Sequence, residues 1–149
     1  MPTHYKGTQR EKETLNAFIK MTRASESINN RLSRGLSCVN LTISQFGILE
    51  ALLHIGPQNQ RELGAKLLKS GGNITLVIDN LEKRGYVVRE TDPNDRRAVI
   101  VSLTDEGKKF ITDYFPEHLK KIVDEFETLT SEELEELGRL CKKVGLSEK

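Results

Sequence analysis

What this chain of 149 residues has little of bounds its function first. No apolar run exceeds a few residues, far short of a bilayer span, and the opening Met-Pro-Thr-His-Tyr-Lys lacks the apolar block of a secretory signal. No membrane role is expected, and the expected location is the cytoplasm. The two cysteines, Cys38 and Cys141, lie about a hundred residues apart with no Cys or His at ligand spacing, which argues against a structural zinc site. In a reducing cytosol they are expected to be free thiols. Histidine is scarce too: His4 near the terminus, and His54 and His118 within helical stretches. There is no Gly-x-Ser-x-Gly, phosphate-binding loop or metal spacing, so an enzyme is not expected, nor any catalytic residue, metal or cofactor.

Excess charge is lacking as well, since 23 basic residues against 22 acidic ones leave a net charge of +1. Its distribution is more telling. Residues 1–59 carry +3, residues 60–103 carry +2 and residues 104–149 carry −4, so acid gathers in the C-terminal third.

Periodicity supplies the elements. Leu15, Phe18, Ile19, Ile28 and Leu32 recur at helical spacing from Glu13 to about Leu36, predicting a long first helix that ends near Gly35. Leu41-Thr42-Ile43-Ser44-Gln45-Phe46 combines a capping box with a hydrophobic staple, opening a second helix that stops at Gly56-Pro57. Asn59 caps a short third helix, with Glu62 at the capping-box position, Leu63 inside and Ala65 small enough for close packing. Ser70-Gly71-Gly72 breaks it, and a fourth helix to Arg84 buries Ile74, Val77, Ile78 and Leu81 before Gly85 ends it. Two β-branched runs, 86–90 and 98–103, flank a polar loop at 91–97 and read as a hairpin. A fifth helix, from Thr104 to Leu129 with Pro116 inside it, and a sixth, opened by Thr130 and Glu133 and closed by Gly145, complete the chain. The expected class is mainly α with a small β-hairpin wing, in the order ααααββαα: residues 1–40 and 105–149 for dimerisation, residues 41–104 a winged helix-turn-helix, all in one domain.

Two short helices joined by a glycine turn and followed at once by a hairpin are the ingredients of a helix that enters the major groove beside a wing that reaches the backbone or minor groove. With the apolar stripe inward, the fourth helix turns Gly72, Leu76, Asp79, Asn80 and Lys83 outward, flanked by Asn73 and Thr75. Asn and Thr can read base edges, and Ser70 with the amides of the helix start can hold a phosphate. Lys66 and Lys69 add a basic approach. At the hairpin tip, Asp95 stands two residues from Arg97 and is expected to hold its guanidinium extended, with Arg96 beside it. The candidate DNA-binding residues are Lys69, Ser70, Gly72, Asn73, Thr75, Asn80, Lys83, Asp95, Arg96 and Arg97. Each also has a plainer reading, as part of a solvated polar face.

The stretch from Leu41 to Leu49, then Asn80-Leu81-Glu82-Lys83-Arg84-Gly85-Tyr86-Val87, then Asp92-Pro93-Asn94-Asp95-Arg96-Arg97 and Val101-Ser102-Leu103-Thr104-Asp105-Glu106-Gly107, resembles the MarR family of transcription regulators over residues 12 to 146. Residues 69–75 and Phe115-Pro116 are most similar to its quinone- and catechol-responsive branch. The resemblance implies a homodimer knotted together by the first, fifth and sixth helices. It also implies a repressor of operator DNA, released by a small phenolic or quinone-like effector in a cleft or by cysteine oxidation. Phe46, His54 and Tyr114 are the candidates for a ligand wall, with ordinary core packing of aromatics as the plainer reading. Cys38 is the redox candidate, with an inert small residue as its plainer reading, because the peroxide-sensing branch has its cysteine near the start of the first helix, where this chain has none; Cys141 reads as packing. The rival reading is a winged helix that binds protein and no operator, because fold does not dictate function.

Overall fold

The computed structural model describes residues 2–67 and 71–147. They form α1 (Gln9–Ser37), α2 (Ile43–Ile55), β1 (Gln58–Asn59), α3 (Gln60–Lys66), α4 (Gly71–Lys83), β2 (Val87–Asp92), β3 (Asp95–Leu103), α5 (Asp105–Glu125) and α6 (Ser131–Gly145). The architecture is the expected one, mainly helical with a small antiparallel sheet, plus one strand that periodicity missed. β1 is only two residues long, too short to show alternation, and it pairs Gln58 with Val101 and Asn59 with Ile100, so that β3 is central in the order β1-β3-β2. No described helix is long and apolar enough to cross a membrane.

Local chemistry sets the boundaries. α1 begins earlier than its apolar stripe, at a capping box in which Thr8 accepts from the Glu11 amide and Glu11 reaches back to the Thr8 amide. It also runs past Gly35. The chain leaves the helix at Asn40, whose φ of +57° suits the short polar side chain of asparagine. Gly35 serves packing instead: its carbonyl accepts from the Tyr114 hydroxyl at 3.3 Å, and a Cβ there would lie 2.8 Å from the Lys121 Nζ. α5 stops at Glu125, short of Leu129, while Thr130 caps α6 as the sequence implied.

The core gathers between Leu36 and Ile111. Leu36, Ile48, Leu49, Leu63, Ile78, Leu81, Val87, Val101 and Ile111 are fully buried, each side chain contributing about 1.5–3 kcal/mol by leaving water. On the helix-turn-helix it is Gly64, not Ala65, that permits close packing: Ala65 is exposed, whereas a Cβ on Gly64 would meet Ile74 at 3.2 Å. The ends of the chain look different. Phe18 and Met21 on α1, Leu119 and Val123 on α5, and Leu134, Leu137, Leu140 and Val144 on α6 are exposed, and no residue of α6 is buried. α1 and α5 are tied by a bidentate pair in which Arg31 Nε and Nη2 donate to Glu125 at 2.8 and 2.6 Å.

α4 is joined to α5 by a compact junction. Gly85, at φ +78°, ends α4 with Tyr86 N–H donating to the Leu81 carbonyl, and the Thr104 amide then donates to the Tyr86 carbonyl at 3.0 Å. The Thr104 hydroxyl donates to the Gly85 carbonyl at 2.6 Å and accepts from the Gly107 amide at 2.9 Å. A Cβ on Gly107 would fall 2.0 Å from the Tyr86 carbonyl oxygen, a backbone atom held by those bonds. Gly107→Ala is therefore expected to destabilise the fold by about 2–4 kcal/mol, read as a lower urea midpoint, and an unchanged midpoint would show that the junction can open.

Candidate nucleic-acid interface

The face expected to meet DNA is built on α3 and α4. Asn59 caps α3 one-sidedly, its Oδ1 accepting from Arg61 and Glu62 amides at 2.9 and 3.2 Å. Along α4, Ile74, Ile78 and Leu81 are buried and Val77 half-buried, as the spacing required. Gly72, Asn73, Thr75, Leu76 and Lys83 are exposed, while Asn80 and Asp79 are half-buried and so less open than a helical wheel implied. Thr75 Oγ1 accepts from Gln60 Nε2 at 3.3 Å. Lys66, also exposed, donates to Gln58 Oε1 at 2.7 Å. Lys69 and Ser70 lie outside the described residues.

The hairpin tip is tighter than the loop expected over 91–97. The strands run on to Asp92 and Asp95, leaving only Pro93 and Asn94 as the turn. Two-residue hairpin turns usually need positive φ so that their twist matches that of the strands. Neither Pro93 nor Asn94 has it; Asp92 Oδ1 instead accepts from the Asn94 amide at 2.8 Å and sets the turn with a local side-chain bond. The mismatch in twist appears as a shift of register: Thr91 pairs with Val99, but Asp92 pairs with Asp95. Arg96, Arg97 and Ala98 fall in that irregularity, opposite no residue of β2. Both arginines are exposed. Asp95 acts differently from expectation, since its carboxylate accepts from the Arg97 backbone amide at 3.0 Å, and among the described residues no ion pair joins it to the Arg97 guanidinium. It shapes the bulge rather than the side chain.

Sequence reasoning passed over Arg89. Its half-buried guanidinium lies between β2, α3 and α4: Nη1 is 2.5 Å from Asp79 Oδ1 and 3.4 Å from Glu82 Oε1, Nε donates to Gln60 Oε1 at 2.9 Å, and Nη2 donates to the Thr75 carbonyl at 3.1 Å. The signal was there in the alternation. Arg89 shares a strand face with buried Val87, and an arginine on an inward face calls for partners. Arg84 makes a second tie, donating to the Asn40 and Val39 carbonyls while its guanidinium carbon sits 5.0 Å from the Tyr86 ring centre.

The aromatic wall expected from Phe46, His54 and Tyr114 is partly assembled. Phe46 and Tyr114 meet edge to face at 6.1 Å, whereas His54 joins through Phe115, 5.0 Å away. Tyr114 also lines a shallow open groove with Tyr86, Glu106, Lys109, Phe110 and Asp113. Sequence reasoning missed His118, which is buried with its ring centre 4.2 Å from that of Phe46. Cys38 caps the C-terminus of α1 and is exposed; Cys141, expected to pack, is exposed as well because nothing among the described residues covers α6.

Comparison with known proteins decides the family. The MarR family profile matches residues 41–99. The HTH-type transcriptional regulator MhqR of Bacillus subtilis is 34% identical over 137 residues, which is 92% of this chain and 94% of that protein. This chain belongs to the MarR family. It is accordingly a DNA-binding transcription regulator by class, and its family is not one of enzymes. A MarR mutant of E. coli complexed with operator DNA superposes with a TM-score of 0.76 at 27% identity, covering 93% of this chain and 99% of that one. Sco3205 of Streptomyces coelicolor, a MarR family transcriptional regulator in complex with DNA, gives a TM-score of 0.85 over 98% of this chain and 94% of its own; at 24% identity that likeness is one of fold.

His118 is expected to make the stability of this MarR-family fold dependent on pH. Among the described residues its Nδ1 has no hydrogen-bond partner, and burial first, then the nearby Lys121 charge, hold its pKa below the ordinary 6.5. The folded chain keeps the ring neutral where the unfolded chain already takes up a proton, so stability is complete above 6.5 and declines as pH falls through it. The urea midpoint is expected to be level from about pH 8 to 7 and to drop below about 6.5, with His118→Leu removing part of that drop. An equal drop in the variant would assign it to other groups.

Proposed function

We propose that this chain is a homodimeric repressor that grips double-stranded operator DNA, with α4 in the major groove and the wing arginines, Arg96 and Arg97, at the minor groove and backbone. The observation that carries the reading is the wing itself, where two exposed guanidiniums occupy a bulge on the hairpin that follows a helix-turn-helix. We assign residues 41–104 to DNA, and residues 1–40 and 105–149 to dimerisation. The exposed apolar residues of α1, α5 and α6 support the second assignment, because a partner chain is the natural cover for them. Gly72, Asn73, Thr75, Asn80 and Lys83 are the proposed contacts on α4, with Lys69 and Ser70 just before it in the sequence. A likeness to a MarR protein complexed with operator DNA supports the same reading. Leu76, 60% exposed on α4, favours a protein partner as the second reading, and salt separates the two.

Selection of duplexes from a random library should return a near-palindromic site with half-sites about one turn, ~10 bp, apart. On it, Arg97→Ala should weaken binding to all sequences and reduce the salt slope by about one. Asn73→Ala or Thr75→Ala should cost about 1–3 kcal/mol on the selected site and little on random DNA. No enrichment, or affinity insensitive to salt, would favour the protein-binding module.

Release is proposed to follow a small phenolic or quinone-like effector at the Phe46, His54 and Tyr114 cluster, with modification of the exposed Cys38 thiol as the alternative trigger. Cys38→Ser separates these routes. A mutant that binds the selected DNA and is still released by a phenol supports ligand sensing; one that no longer responds to a quinone supports the thiol.

A further inference from the structure

α4 carries two carboxylates, Asp79 and Glu82, on the helix that the reading above puts against a polyanion. Left open, they would repel phosphate. Both are about two-fifths exposed, and both are met by one side chain from another element, Arg89 of β2. The Arg89 backbone amide also donates to Glu82 Oε2 at 3.2 Å, so strand and helix are joined by main chain as well as side chain. All three guanidinium nitrogens are engaged by protein groups: the two acids, the Thr75 carbonyl and the Gln60 amide oxygen. It is therefore poorly placed to contact phosphate itself. Gln60, held at its oxygen by Arg89, turns its Nε2 to the hydroxyl of Thr75.

We propose that Arg89 is a positioning residue for DNA binding that acts in two ways without touching DNA. It masks the negative charge of Asp79 and Glu82, and through Gln60 it supplies one of the contacts that hold the Thr75 side chain. The inference rests on the DNA-binding reading. Masking follows from charge: with Arg89 gone, α4 meets the duplex with two uncompensated anions, and the repulsion is screened as salt rises. Positioning follows from geometry, since a planar fork can hold two acids, a carbonyl and an amide at once, whereas an ammonium keeps the charge and loses the fork.

The experiment uses the full chain, a duplex selected by the wild-type protein and a random duplex, with affinities measured over a range of salt. Arg89→Gln should weaken binding to both duplexes on the order of tenfold at low salt, with the defect shrinking as salt is raised. Adding Asp79→Asn and Glu82→Gln to it should restore most of the affinity, which lost scaffolding alone would not do. Asp79→Asn with Glu82→Gln in the wild-type background should tighten binding to the random duplex. Arg89→Lys should keep overall affinity yet relax base preference at the position that Thr75→Ala relaxes; should Arg89→Gln fail to fold, this variant and the triple one carry the test. Folded Arg89→Gln with unchanged binding, or a triple variant no better than the single one, overturns the proposal while wild-type binding stands. A wild-type protein that selects no duplex overturns the DNA-binding reading first, and this inference with it.

Discussion

The fold turns on a close approach of two backbones, where the first turn of α5 rests on the peptide leaving α4. Thr104 bridges them by using its hydroxyl in both directions, and Gly107 lets the carbonyl of Tyr86 come nearer than any side chain would allow. Through this contact α4 and the wing are both fastened to the start of the long α5, and α2, packed on both α4 and α5, adds a second tie. The sheet returns β3 directly into Thr104, and α4 exits through Gly85 into the same junction, so helix and wing share one mounting point. A change in the direction of α5, which also carries Tyr114, Phe115 and His118, is thus mechanically connected to the pose of α4.

Elements with their own chemical punctuation were legible in the sequence. The capping boxes of α2 and α6, the Gly56 and Gly85 stops and the Ile74, Ile78 and Leu81 stripe all declare themselves within a few residues. Contacts between distant segments did not. β1 is two residues whose strand character exists only because β3 lies beside them. Gly35 looked like a stop because glycine often is one, yet its role is to make room for α5, a neighbour 79 positions away in the Tyr114 bond. Ala65 and Gly64 sit side by side and are both small; which of them faces Ile74 depends on the phase of a helix only two turns long.

The candidate site divides along the same line. Exposed side chains such as Asn73, Thr75, Arg96 and Arg97 were predictable because a helical stripe and a hairpin leave little choice about which side faces out. Asp95 was assigned the wrong atom: an acid near an arginine suggests an ion pair, but two residues of separation in a bent backbone favour the amide instead. Arg89 was passed over because charge on a short strand reads as solvated, and its partners come from two helices that precede it. His118, too, becomes notable only when Phe46 arrives from α2.

The turn at Pro93 and Asn94 has a kinetic consequence. Proline fixes one backbone torsion, the Asp92 carboxylate fastens the next amide, and the Asp95 carboxylate fastens the amide of Arg97. A wing tip built this way has few conformations to lose on binding anything. A glycine-rich tip would have to find the right shape at each encounter, so that ordering slows capture; a tip whose shape exists beforehand leaves, for a wing that docks as proposed, diffusion and orientation to set the pace.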